Sequence, residues 1–178
     1  YKGKDRDQIL LEGAKKEGEV VWYTNIAVTS VGAFTKKFEE KYPFLKINVL
    51  RLTPDKLHLR VTNEFRAGKY FPDVISINGL YAQQLKEEKI FAAYRTTQFD
   101  HYPPGFRDPD GYWTSLYFIT YSMGYNTRNI TPQDVPKKYE DLLNPKWKRK
   151  VGIVSNSEIW VLGILELMGK DKGLDYLR

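Results

Sequence analysis

The chain has 178 residues, of which 42% are hydrophobic and 15% aromatic, so it can build a packed core and is not a disordered segment. Its net charge is +6, but 28 basic residues are interleaved with 22 acidic ones along the chain, which argues against a nucleic-acid-binding protein. It contains no cysteine, which excludes a disulfide scaffold and a thiolate metal site.

Three segments in the first half of the chain are predicted to be strands, over 19–24, 46–52 and 73–77. In each of them bulky apolar residues follow one another without helical spacing, which is typical of strands that are buried on both faces. Strands of that kind occur in parallel sheets that helices cover.

Helices are predicted before and after each of these strands, the first over 7–16. Ser30 is predicted to cap the second helix. Thr53 and Pro54 are predicted as the N-cap and the first residue of the third helix, and Asn78 opens the fourth. The alternation of strand and helix predicts an α/β unit with a parallel sheet.

The second half of the chain is predicted to be less regular. Residues 95–111 carry the prolines and turn residues of a loop, and an apolar-polar alternation from Trp113 to Asn126 predicts one long strand. A helix is predicted over 137–143, a strand over 151–154 and a very apolar helix over 159–168, before a short terminal helix. The apolar helix lacks a predicted cover, so we expect it to pack on another copy of the chain or on further sequence.

Four stretches along the chain carry a resemblance to a known family, and they are Glu17–Thr24, Phe38–Pro43, Arg60–Lys69 with Asp73–Ile75, and Arg107–Trp113 with Tyr125–Thr127 and Asp141–Lys148. In this order they resemble the type II periplasmic-binding-protein-like family. The nearest likeness is to the solute-binding proteins of bacterial ABC importers in the iron(III), thiamine and phosphonate group.

The resemblance implies a fold of two α/β lobes that close on a solute and deliver it to a membrane permease. Residues 1–118 would form the first, parallel-sheet lobe, and 119–178 the crossing strand and the start of an incomplete second lobe. The implied location is periplasmic or extracellular. No signal peptide opens the chain, as in a mature secreted protein, although a cytosolic protein would start in the same way.

Polar residues follow each predicted strand, at the sheet edge where ligands of open α/β folds bind. Together with the head of the apolar helix, they are the predicted solute-binding residues, namely Thr24, Asn25, Thr53, Asp55, Lys56, Asn78, Gly79, Ser155, Asn156 and Ser157. Free N–H groups at helix starts suit an anionic group. Ordinary helix capping is the commoner explanation for any one position, and it is the convergence of the set at the strand ends that favours a binding site. Four aromatic residues either wall the cleft or belong to the core, namely Tyr81, Trp113, Tyr117 and Trp160.

Iron(III) binding is kept as an alternative to a metal-free solute. The resemblance implies that iron-binding members supply a histidine after the first strand and a carboxylate after the third, but Ala27 and Asn78 hold these places. A tyrosine pair expected in the second lobe would lie beyond Arg178. We therefore predict a small anionic or metal-complexed solute, and no resident metal or cofactor.

Two further classes of protein are alternatives to a binding protein. The ligand-sensing domain of a transcription regulator shares this type of fold and would need a DNA-binding segment ahead of Tyr1. An enzyme would need a catalytic motif, and the sequence has only two histidines, His58 and His101, and no zinc-protease, hydrolase or dinucleotide motif. We predict that the chain is not an enzyme.

Overall fold

The computed structural model of the chain describes residues 3–154 and 157–178. The chain divides into two compact units, Tyr1–Tyr117 and Phe118–Arg178. Among the described residues, no helix combines the length and the apolar composition needed to cross a bilayer.

The first unit alternates helices and strands, as the sequence predicts. In chain order its elements are α1 (Arg6–Glu17), β1 (Glu19–Thr24), α2 (Val28–Lys41), β2 (Lys46–Arg51), α3 (Pro54–Arg66), β3 (Val74–Ser76) and α4 (Gly79–Glu87). A short 3-10 helix, Phe99–His101, follows in the loop after α4.

The three strands form one parallel sheet in the order β2-β1-β3. The predicted parallel-sheet α/β fold is thus confirmed. The central strand β1 buries Trp22, Tyr23 and Thr24, whereas every residue of β2 and β3 is half-buried or exposed. The prediction that all three strands are buried on both faces is therefore wrong for β2 and β3, which lie at the two edges of the sheet.

The core of the first unit lies where α3 and α4 pack against the sheet. Tyr23, Leu57, Val61 and Leu85 form its buried cluster, and Leu57 and Leu85 have no exposed surface. Leu57 and Val61 are one helical turn apart, so both face the sheet from α3. Complete burial of each leucine contributes about 1.5–3 kcal/mol to the stability of this unit.

Two of the three predicted helix starts are confirmed. Thr53 is the N-cap of α3 with Pro54 in its first turn, and Asn78 caps α4 by accepting the backbone N–H of Tyr81 at 3.4 Å. The prediction for Ser30 is wrong, because α2 begins at Val28. The turn after β1 is short, since the Thr24 hydroxyl accepts the N–H of Ile26 at 3.1 Å, and the helix starts before Ser30 is reached.

The predicted long strand from Trp113 to Asn126 is not formed. Apart from one isolated bridge between Arg107 and Thr114, this segment is irregular, and the predicted strand over 151–154 is irregular as well. A strand requires a neighbour for its backbone hydrogen bonds. Among the described residues, no strand lies beside either segment.

The second unit contains two short 3-10 helices, Tyr139–Leu143 and Pro145–Trp147, followed by α5 (Glu158–Met168) and α6 (Lys170–Tyr176). The predicted apolar helix is confirmed as α5. The helix predicted over 137–143 is a 3-10 helix instead.

The helices α5 and α6 pack against each other at Gly173. A Cβ atom there would lie 2.9 Å from Leu165 Cδ2, so only glycine permits this approach without movement of Leu165. Ile164 is buried, but Leu162 and Leu167 on the same helix remain exposed.

Candidate functional site

The carboxyl ends of the three strands meet at one edge of the sheet. The strand register pairs Thr24, the last residue of β1, with Arg51 at the end of β2 and with Ser76 at the end of β3. The three turns that follow these strands therefore leave the sheet side by side. Seven of the predicted binding residues lie at the strand ends, in these turns or in the first turns of the helices that follow. This edge is the candidate functional site of the first unit.

At the end of β1, Thr24 has a structural role. Its side chain is fully buried, its hydroxyl accepts the N–H of Ile26, and its carbonyl accepts the N–H of Leu52 at 3.1 Å. Asn25 is half-buried and donates its backbone N–H to the carbonyl of Ser76 at 3.1 Å. These bonds fix the turn to both neighbouring strands, and the Thr24 side chain does not reach solvent in this unit.

The turn after β2 carries Thr53, Asp55 and Lys56, which are all exposed. A hydrogen bond with the Thr53 side chain holds the pKa of Asp55 below its ordinary value, so Asp55 is ionised at neutral pH. A carboxylate in the first turn complements the positive end of the α3 dipole. The start of α3 is thus supplied with a negative charge by the chain itself.

The turn after β3 carries Asn78 and Gly79. The side-chain oxygen of Asn78 is engaged in capping α4, and Gly79 is exposed. In the described part of the chain no acceptor bonds to the amide nitrogen of the Asn78 side chain, which leaves a hydrogen-bond donor at this edge.

The start of α2 differs from the starts of α3 and α4. Its N-cap residue is Ala27, which has no capping side chain, and its first turn contains no acidic residue. Within residues 3–154 and 157–178, the backbone N–H groups of Val28 and Thr29 have no acceptor. Such a helix start offers two amide donors and a positive partial charge to the solvent.

Arg51 is a residue of this edge that the sequence did not single out. Its Nε donates to the carbonyl oxygen of Ile26 at 2.6 Å, which places the guanidinium against the turn between β1 and α2. A charged residue at the carboxyl end of a strand, directly before a helix start, is the sequence signal that could have indicated it.

The aromatic residues predicted for a cleft or a core have different surroundings. Tyr81 packs against His58 between α4 and α3, with 5.1 Å between ring centroids. Trp160 packs edge-to-face against Tyr139 within the second unit. Trp113 is half-buried and Tyr117 is exposed.

His58 lies on α3 at its contact with α4. Its Nε2 lies 3.4 Å from Glu88 Oε1, and Thr62 donates a hydrogen bond to the other oxygen of Glu88 at 3.2 Å. Its side chain is mostly buried.

The predicted contribution of the second unit is described only at Ser157. This residue is the N-cap of α5, and its side chain makes no capping hydrogen bond. Ser155 and Asn156 lie outside the described residues. In the part of the chain that is described, no three histidine, aspartate or glutamate side chains gather as a metal site would require.

Residues 69–178 match a protein family described as bacterial extracellular solute-binding protein. A curated relative, iron uptake protein A1 of Synechocystis sp., is 26% identical over 156 residues, which are 87% of this chain and 42% of the relative.

Two solved structures share the fold. Iron-bound HitA from Pseudomonas aeruginosa superposes with a TM-score of 0.74 at 19% identity, over 89% of this chain and 52% of that protein. The Trichodesmium protein IdiA (FutA), solved with iron and citrate, superposes with a TM-score of 0.67 at 22% identity, over 90% and 51%. Both are type II periplasmic binding proteins, which confirms the predicted fold class, and the chain spans about half the length of these relatives.

Proposed function

Because this chain belongs to the bacterial extracellular solute-binding proteins, we propose that it captures a small anionic or metal-complexed solute and delivers it to the membrane permease of an ABC importer. In this role it binds the solute outside the cytoplasm and does not transform it. The site is the carboxyl edge of the sheet in the first unit.

The observation that carries the proposal is the uncapped start of α2 at this edge. Helices of open α/β folds commonly receive anionic groups at such starts, because unpaired N–H groups and the helix dipole both favour negative charge. The start of α3 carries the Asp55 carboxylate and the start of α4 carries the Asn78 cap, whereas the start of α2 has neither an acidic residue nor a capping side chain, so it is the start most open to a solute anion.

Thermal unfolding in the presence of candidate solutes tests this function. The protein, expressed with whatever sequence its gene encodes around this chain, is screened against citrate, phosphonates, inorganic phosphate, thiamine and spermidine. A solute at a hundred times its dissociation constant stabilises the folded state by about 2.7 kcal/mol, which raises the midpoint measurably. A response to none of the solutes, with no saturable binding by calorimetry, would contradict the proposal.

Iron(III) is a second candidate, because the names of the relatives cited above refer to iron. In this chain the places predicted for a histidine and a carboxylate ligand hold Ala27 and Asn78. Iron would therefore be bound more readily as a complex with an organic anion than as the bare ion. The anion of the complex would accept hydrogen bonds from the backbone N–H groups at the start of α2. A midpoint raised by ferric citrate but not by citrate alone, and lowered again by a chelator, would support this candidate.

A further inference from the structure

We propose that Arg51 is the residue that recognises the oxyanion of the solute, a carboxylate or a phosphonate group, and so sets the selectivity of the site. This inference rests on the proposed function and gives the solute a chemical class.

Arg51 is the last residue of β2 and pairs in register with Thr24, so it lies at the carboxyl edge of the sheet. Its Nε is bonded to Ile26, two residues before the first amide of α2. The guanidinium therefore lies against the turn from which α2 starts.

One hydrogen bond fixes the orientation of the Arg51 side chain. An exposed arginine side chain ordinarily samples many rotamers, and ordering it on binding costs free energy. The 2.6 Å bond from Nε to the Ile26 carbonyl fixes one edge of the planar guanidinium. The two terminal nitrogens remain, and they are the pair that binds a carboxylate or a phosphonate in bidentate fashion.

The charge of Arg51 is not neutralised by a neighbouring carboxylate among the described residues. Arg60 and Arg107 of the first unit are paired with carboxylates, Glu64 at 2.7 Å and Asp100 at 2.9 Å, whereas the described residues give Arg66 and Arg95 no carboxylate within 4.0 Å. In the described portion of the chain, Arg51 has no carboxylate within 4.0 Å and no hydrogen bond other than the one to Ile26. A fixed cation without an anion beside it, at a proposed anion site, is suited to take its counter-charge from the solute.

Binding of the screened solutes to Arg51→Gln and Arg51→Lys tests the assignment, with calorimetry as the measurement. Loss of a bidentate, charge-assisted pair predicts a dissociation constant for the anionic solute about 10- to 100-fold higher in Arg51→Gln. Arg51→Lys keeps the charge, but a lysine cannot donate to the Ile26 carbonyl and bind an oxyanion in bidentate fashion at the same time. We therefore expect its affinity for the anionic solute to lie between those of the wild type and Arg51→Gln. Arg66→Gln is the control, because it removes the same charge at the carboxyl end of α3, away from the strand ends. It should leave the affinity for the solute unchanged.

The outcomes separate this inference from the function on which it rests. If the protein binds thiamine, spermidine or an anion with an affinity that Arg51→Gln does not alter, solute binding stands and the role of Arg51 is overturned. Full affinity in Arg51→Lys would also overturn it, because a bare charge would then suffice. Binding of none of the screened solutes would overturn the function and the role of Arg51 together.

Discussion

Asp108 is a buried carboxylate that ties the loop after α4 to that helix. It accepts hydrogen bonds from Lys86 Nζ and from the backbone N–H of Tyr112, and only 4% of its side chain is exposed. Replacement by asparagine removes the charge while Lys86 keeps Asp110 as a second partner at 3.1 Å. We therefore expect Asp108→Asn to lower the free energy of unfolding by about 1–3 kcal/mol, measured by urea denaturation at pH 7.

Asp110→Asn is the matched control, because it removes a carboxylate that also bonds Lys86 but is 67% exposed. Solvent screens such a pair, and we expect a loss below about 1 kcal/mol. Equal losses in the two variants would contradict a special role of the buried carboxylate.

The same residue predicts a pH dependence. Burial alone would raise the pKa of Asp108, but hydrogen bonds from Lys86 and Tyr112 lower it below its ordinary value. A lowered pKa in the folded state stabilises the protein above about pH 4, and this stabilisation is lost as the pH falls through the folded-state pKa. The stability difference between the wild type and Asp108→Asn should therefore shrink as the pH falls below 4, in urea denaturation repeated at each pH.

At the scale of an element, α1 contains one glycine and is terminated by another. Gly18 is the C-cap at φ +72°, whereas Gly13 lies inside the helix, and a Cβ atom at either would meet nothing within 4 Å. Gly18→Ala forces alanine into the left-handed region and should lower the free energy of unfolding by about 1–2 kcal/mol. Gly13→Ala should raise it by about 0.5–1 kcal/mol, so thermal denaturation of the two variants should show shifts of opposite sign. Shifts of the same sign would contradict the helix end described here.

Because α2 has no capping side chain, a cap introduced at Ala27 should raise the stability of the protein and weaken its binding of an anionic solute. Ala27 has φ −56° and ψ 139°, the extended backbone that N-cap residues adopt. Ala27→Asp should raise the free energy of unfolding by about 1 kcal/mol, because its carboxylate caps the helix. It should also weaken binding of an anionic solute at least about tenfold, since it places a negative charge at the same donors.

Ala27→Ser adds a neutral cap and separates the two effects. Thermal denaturation should show a similar gain in stability, while calorimetry should show a smaller loss of affinity. If Ala27→Asp gained stability without weakening the binding of anions, the site proposed at α2 would be in the wrong place.

The elements of the first unit follow from local sequence signals. The apolar run of β1, the Thr53-Pro54 start of α3 and the Asn78 start of α4 each depend on residues close in sequence. Other features depend on distant partners. The segment from Trp113 to Asn126 has the alternation of a strand but no neighbouring strand, and the alternation alone cannot show that.

The location of the candidate site could be predicted from the sequence, but its side-chain contacts could not. The strand ends indicate which turns meet, because parallel strands place their carboxyl ends at one edge. They do not indicate that Thr24 is buried or that Arg51 bonds to Ile26. Both are tertiary contacts, set by the register of β1 with its neighbours.

For the whole molecule, the exposed apolar surface of the second unit predicts association. Leu162 and Leu167 of α5 are 49% and 69% exposed, and Ile153 and Val154 are exposed as well. We expect concentration-dependent dimerisation in sedimentation velocity. Burial of one leucine contributes about 1.5–3 kcal/mol, so Leu167→Gln should raise the dimer dissociation constant about tenfold or more.

Leu59→Gln is the control, because Leu59 is 60% exposed but lies in the first unit. It should leave the dimer dissociation constant unchanged. A chain that stays monomeric at every concentration would contradict self-association through α5.

The central position of β1 has a consequence for how the chain is made. Glu19 pairs with Lys46, and Trp22 pairs with Val74, so both neighbours of β1 are synthesised after it. A nascent chain cannot close the sheet until β3 has left the ribosome. Until then β1 has an open hydrogen-bonding edge, and its aromatic side chains are exposed. Chains in such a state are bound by chaperones and are prone to aggregate.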